Sequence, residues 1–158
     1  METTQQATQY LTCTLDREVF AVDVGRVKEI LECAAITKIP RTPDFMRGVI
    51  NLRGSVVPVI DMRLKFGLPP AERTIDTCII VVEVLVEDEV ITIGALADSV
   101  QEVIELEPGQ IEAAPRIGTH IDTDVIRGMG KHDDSFIMIL NVDRIFSGDT
   151  LDAIRAGE

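Results

Sequence analysis

The 158-residue sequence predicts a mainly β protein, two small barrels of about five strands each, packed together and carrying short helices. Three observations lead there. Short apolar runs alternate with tight polar or glycine-bearing connections along most of the chain. The motifs of the first half return, in the same order, in the second. Units of roughly 70 residues with a handful of strands leave edges exposed if open and have too little core to stand alone. Closing each unit into a barrel and packing the two side by side answers both problems.

Residues 10–15 and 19–24 read as strands joined through Asp16, Arg17 and Glu18. Val24, Val27, Ile30 and Leu31 then recur at helical spacing and predict a turn or two of amphipathic helix. Pro40 and Pro43 make residues 38–44 an extended loop. Residues 49–52 and 56–60 are strands around Arg53-Gly54-Ser55, with the glycine at the turn. Asp61 is a good N-cap for a short helix over 62–66, and Gly67 stops it. Residues 68–74, with Pro69 and Pro70, form a link. A second long hairpin, 77–86 and 90–97, turns at Glu87-Asp88-Glu89. Residues 100–106 fit a strand or a helical turn equally. Residues 136–140 are a strand, Asn141 caps a last helix through Phe146, and residues 148–158 read as a frayed tail.

The repeat is collinear. Arg47-Gly48 and Arg127-Gly128 lie 80 residues apart, as do strands 56–60 and 136–140, the caps Asp61 and Asn141, and Phe66 and Phe146. Earlier in each half, 27–30 matches 100–103 at an offset of 73, and Pro40-Arg41 matches Pro115-Arg116 at 75. The expected organisation is one domain of two intertwined barrel subdomains, approximately 9–70 and 74–147. A groove between them is a natural place for a partner element.

Acids number 27 and bases 15, a net charge of −12, which opposes phosphate and argues against a nucleic-acid partner. No apolar run approaches the roughly 20 residues that span a bilayer, and residues 1–10 lack a signal-peptide core. Cys13, Cys33 and Cys78 are far apart and odd in number, which argues for a reducing compartment; Cys13 and Cys78 lie in apolar runs as buried thiols. His120 and His132 have no metal-ligand spacing, and Asp122 with Asp124 supplies only two ligands. Gly128-Met129-Gly130-Lys131 lacks the phosphate-loop pattern and reads as a β-turn or bulge. Asp133-Asp134 reads as a solvated turn. The expectation is no enzyme, no cofactor and no metal.

Charge is unevenly spread. Residues 37–66 hold six bases and two acids, a net of +4, while residues 74–112 hold ten acids and no base. Solvated faces and complementarity towards partners explain this equally well. Arg53, at a hairpin tip, is the sharpest single residue, because a guanidinium fork is enriched at interface hot spots. Val27, Ile30 and Leu31 pack inward or, at a groove mouth, dock an apolar ridge of a partner helix; Glu29 can pair with a basic partner residue.

Gly48 to Arg63, GVINLRGSVVPVIDMR, closely resembles the signature of the bacterial chemotaxis coupling protein family CheW. VGRVKEILE at 24–32, the Ile-Pro-x-x-Pro stretch at 39–43 and Ile-Arg-Gly-Met-Gly at 126–130 fit the family's order, so that the resemblance covers roughly residues 9–146. It implies two SH3-like five-stranded β-barrels and a non-enzymatic adaptor. Such an adaptor joins the cytoplasmic tips of methyl-accepting chemoreceptors to the regulatory domain of the histidine kinase CheA, in cytoplasmic arrays beneath the inner membrane. A related alternative is the same role in a pilus or other non-flagellar kinase pathway. Carried over by motif, the receptor-binding residues are Val27, Glu29, Ile30, Gly48 and Arg53. The second barrel contributes Val100 and Val103, with Cys78 standing where a strand valine is commoner. No membrane insertion and no nucleic acid are implied.

Overall fold

The computed structural model describes residues 7–32, 35–113 and 125–146, with 152 and 154 beyond them. In chain order the strands are β1 Thr8–Leu15, β2 Glu18–Asp23, β3 Val27–Leu31, β4 Met46–Leu52 and β5 Ser55–Asp61, followed by the single-turn helix α1 Met62–Lys65. Then come β6 Cys78–Val86, β7 Glu89–Ala97, β8 Ser99–Leu106, β9 Ile111–Glu112, β10 Ile126–His132, β11 Ser135–Leu140 and α2 Val142–Ile145. Four hairpins turn through Asp16-Arg17, Arg53-Gly54, Glu87-Asp88 and Asp133-Asp134, every one of these residues at positive φ. Positive φ at both centres matches the twist of antiparallel strands, and Gly54 and the four aspartates are the residue types that tolerate it best. Asp61 caps α1 by accepting from the Arg63 and Leu64 N–H groups, and Asn141 caps α2 through the Arg144 N–H. Gly67, at φ +75°, ends the turn after α1.

The strands form two sheets, ordered β8-β1-β2-β11-β10-β9 and β3-β6-β7-β5-β4. The first has six strands rather than five, the extra one being the two-residue β9. Neither sheet follows the 9–70 and 74–147 division that the repeat suggests. Hairpin β1-β2 belongs to the sheet built by residues after 99, and hairpin β6-β7 fills the middle of the sheet begun by β3. Strand pairing follows ladder complementarity in space and is indifferent to where a repeat ends in sequence.

Each sheet curls over a small cluster of its own. Tyr10, Ala21, Ile104, Leu106, Ile137 and Ile139 fill one, and Ile50, Val57, Val59, Ile79, Val81 and Leu96 the other. Between the sheets lies the largest cluster, in which Phe20, Phe66 and Phe146 are buried; Phe20 stacks on Phe66 with ring centroids 5.6 Å apart. Neighbouring β6 residues alternate between these cores, Ile79 and Val81 into the sheet's own cluster, Ile80 and Val82 into the central one. A strand buried on both faces reads as a continuous apolar run, which is what residues 78–82 are.

The amphipathic helix expected from Val24, Val27, Ile30 and Leu31 is absent. Val24–Arg26 is one 3-10 turn, and β3 follows as an edge strand. Its register slips between Val27 and Glu29, so Val27 opposes Val82 and Ile30 opposes Ile80. Directly opposed residues share a face, so one extra residue puts Val27 and Ile30 on the same side at a spacing of three. The bulge imitates helical periodicity. Residues 100–106, read either way from sequence, form β8 with the equivalent slip: Val100 opposes Cys13 and Val103 opposes Leu11. The Thr12 hydroxyl fills that gap, donating to the Glu102 carbonyl at 2.9 Å and accepting from its N–H at 3.1 Å. Residues 128–131, expected as a turn or bulge, lie within strand β10, whose register slips between Ile126 and Gly128. Cys33, Pro115, Arg116, His120, Asp122, Asp124 and all of residues 148–158 except 152 and 154 lie outside the described residues.

Candidate functional site

The two bulged edge strands carry most of the residues named from sequence. Val27 and Val100 are half-buried against the central cluster. One bulge further on, Ile30 and Val103 are 40% and 52% exposed. All four oppose residues of the central cluster, so each strand presents a pair of apolar side chains, one anchored and one open to solvent.

Glu29 does not wait for a basic residue from outside. Arg53 donates to it through both terminal nitrogens, Nη1 to Oε2 at 2.6 Å and Nη2 to Oε1 at 3.1 Å. The carboxylate raises the guanidinium pKa above its ordinary value. The position of this pair matters. Arg53 follows β4 and Glu29 lies on β3, the two outer strands of one sheet, which pair with other strands but not with each other. A side-chain fork therefore spans the seam of the curled sheet. In the other sheet the corresponding positions, by the offsets of 73 and 80, are Glu102 and Asp133, two acids. The repeat is symmetric in backbone and asymmetric in chemistry at this point. Among the described residues Arg53 bonds only Glu29, through two of its five N–H groups, and its side chain is 75% exposed.

Gly48 and Cys78 sit differently. Gly48 is buried at the slip in β4, at φ +143°. A Cβ there would stand 2.1 Å from the Thr37 carbonyl oxygen. Thr37 and Val49 exchange two backbone hydrogen bonds, of 2.8 and 2.9 Å, beside it. Gly48 thus lets the chain close over β4, and a partner reaches no side chain at it. Cys78 is a buried free thiol at the start of β6, opposite Ala97. Cys13 is a free thiol as well, its pKa pushed up to about 12, chiefly by burial.

Sequence reasoning missed two features. One is a cleft of about 540 Å³ beside Arg53, lined by Lys28, Leu52, Val56, Glu89 and Val90, in which Val56 is largely exposed. The available signal was an apolar residue close behind each of two polar hairpin turns, Val56 in β5 and Val90 in β7. The other is a mirrored pair of ion-pair clamps between the repeats. Arg26 binds Asp143 of α2 with both terminal nitrogens at 2.7 Å, and the Leu85 N–H also donates to that carboxylate at 2.7 Å. Arg63 of α1 donates to Asp98 at 2.6 Å and to Asp16 at 3.2 Å. Charges 35 to 117 residues apart give no local sequence signal.

Among the described residues no group of three or more His, Cys, Asp or Glu is placed to hold a metal, and no helix is long and apolar enough to cross a membrane. What the fold and this surface define is a protein-binding scaffold: paired sheets with apolar edge strands and a spanning ion pair. The chain belongs to the CheW-like domain family, which matches residues 9–149. It is 30% identical over 143 residues to the chemotaxis protein CheW of Klebsiella aerogenes, covering 90% of this chain and 84% of that one. It is 35% identical over 127 residues to the chemotaxis protein CheW of Bacillus subtilis, covering 80% and 78%. The crystal structure of the scaffolding protein TtCheW from Thermoanaerobacter tengcongensis superposes with a TM-score of 0.82 at 34% identity, covering 92% of this chain and 96% of that one. Members of this family are chemotaxis scaffolds or adaptors and not enzymes.

Proposed function

We propose that this chain couples the cytoplasmic tips of methyl-accepting chemoreceptors to the regulatory domain of the histidine kinase CheA, in cytoplasmic arrays beneath the inner membrane. The observation that carries the proposal is the Glu29–Arg53 fork across the seam of one sheet, with exposed Ile30 one residue away on β3. A receptor tip presents a helical hairpin. Its apolar ridge lies on Ile30 and Val103, with Val27 and Val100 as the half-buried wall behind them. Glu29 holds the Arg53 guanidinium in one orientation, and the remaining N–H donors meet a receptor carbonyl or carboxylate. Gly48 and Cys78 then act by shaping the wall rather than by touching the partner. Contacts of this size are individually modest, and repetition in an array supplies retention.

The test is calorimetric titration of the chain with a purified receptor tip, then with the CheA regulatory region. Arg53→Ala is expected to weaken the receptor titration at least tenfold, leaving kinase binding and the far-UV spectrum as in wild type. Unchanged receptor affinity in a folded Arg53→Ala variant removes Arg53 from the site. Binding of wild type to neither partner refutes the coupling role.

A further inference from the structure

We infer that the cleft beside Arg53 is a docking site for an acidic amphipathic helix, and that the C-terminal segment of this chain is its resident occupant, a latch that a partner helix displaces. Ile154 carries the inference. It lines the cleft together with Leu52, Arg53, Val56 and Val90, and it packs against the central cluster between the sheets. Ile154 is helical and half-buried, while Asp152, two residues before it, is helical and exposed. The segment therefore seats an apolar side chain in the cleft and turns a carboxylate to water.

This contact leaves the cleft partly open. Val56 and Val90 are 73% and 64% exposed, and the Arg53 side chain is 75% exposed. A second element reaches the surface around Ile154 without any unfolding of the sheets. Exposed apolar side chains gathered round one cleft mark an interaction surface, as the same residues scattered singly do not. The occupant itself indicates the class of ligand. Residues 148–158 hold Asp149, Asp152 and Glu158 against Arg155, a net of −2, and Leu151 stands three residues before Ile154, the spacing of one helix face. The charged residues lining the cleft are Lys28, Arg53 and Glu89, two bases and one acid. An apolar ridge with acidic flanks complements such a rim.

The latch is weak by construction. Half-burial of one isoleucine favours the seated state roughly five- to tenfold. Ordering the segment takes back part of that. A competitor's apparent affinity falls in proportion to the open fraction, so unlatching should tighten its binding about three- to tenfold and no further. Competition with a receptor tip rests on the coupling role proposed above; the docking of the segment does not.

The experiment compares amide NMR spectra of the full-length wild type and Ile154→Asp. Shifts are expected at Lys28, Leu52, Val56 and residues 90–92, with the amides of the other sheet unchanged. A synthetic peptide of residues 147–158, added to the Ile154→Asp chain, should return those amides towards their wild-type positions; a peptide carrying the same substitution should not. Calorimetric titration with a purified receptor tip should then show Ile154→Asp binding about three- to tenfold tighter than wild type. Ile154→Ala, a milder change, should move every readout in the same direction if the aspartate variant folds poorly. Unchanged cleft amides, or a peptide that shifts amides elsewhere, would overturn the docking. Equal tip affinity in wild type and both variants would overturn the latch. A tip that binds no version, with the peptide result as expected, would refute the coupling role and support the docking site.

Discussion

Replacing Gly48 by alanine tests how the sheet edge beside Arg53 is built. At φ +143° the glycine occupies backbone space that an L residue enters at a cost of about 1–3 kcal/mol. The added Cβ would lie 2.1 Å from the Thr37 carbonyl oxygen and 2.8 Å from its carbon. Both are backbone atoms, so no side-chain rotation relieves the clash. The Thr37–Val49 bridge must open, which removes two hydrogen bonds worth about 1 kcal/mol each. The expected loss is about 3–5 kcal/mol, or roughly 10–15 °C in Tm for a chain of this length. Urea unfolding followed by far-UV circular dichroism measures it. Gly54→Ala is the control, because φ there is +89° but nothing lies within 4 Å of the added atom. It should lose only about 1 kcal/mol, the backbone term alone. A Gly48→Ala loss no larger than the Gly54→Ala loss would refute the close-approach argument. Loss of receptor binding at unchanged stability would instead mean that a partner touches Gly48.

Three further expectations follow from the same geometry. Ile30→Asp and Val103→Asp should each cost about 1 kcal/mol, because each side chain is already about half in water, yet each should abolish the receptor titration; a loss of several kcal/mol would mean the residues are core. Asp143→Asn should cost about 1 kcal/mol at pH 7, discounted for the partial exposure of both partners in the clamp. Burial pushes the Asp143 carboxyl up, but hydrogen bonds from Arg26 and the Leu85 N–H outweigh it, and the pKa falls below 3.8. Stability from a lowered carboxyl is full above its ordinary value and lost as pH falls through the folded one, so the difference between Asp143→Asn and wild type should shrink below about pH 3.8 in acid titrations of unfolding; a constant difference would contradict the assignment. In a Cys33→Ser background, Cys13 and Cys78 should resist a thiol reagent at pH 8 and both react in urea, whereas native-state labelling would show that the inter-sheet region opens readily.

Much of the architecture could be read along the chain because its causes are local. The hairpin at Arg53-Gly54, the Asp61 and Asn141 caps and the long apolar strand from Cys78 depend on neighbours a few residues apart. The family signature at 48–63 is local as well. The misreading at 24–31 has a physical source: a β-bulge restores one face after three residues, the interval a helix uses. Val100 and Val103 were ambiguous for the same reason. Glu29 and Arg53 were each identified, but their bond was not, because β3 and β4 meet only when the sheet curls.

Residue order alone dictated most of the strands, though not β3 or β8, together with the turns, the two-fold repeat and the family. All of these follow from short-range periodicity, or from motifs whose residues are contiguous. The tertiary structure decided which hairpin enters which sheet, which valines remain half in water, and that Gly48 is a point of close approach. It also decided that charges of opposite sign clamp α1 and α2 to the facing repeat. Those outcomes depend on ladders and ion pairs between residues tens of positions apart. A single sequence records the residue types at such contacts but not the pairing that three-dimensional closure imposes on them.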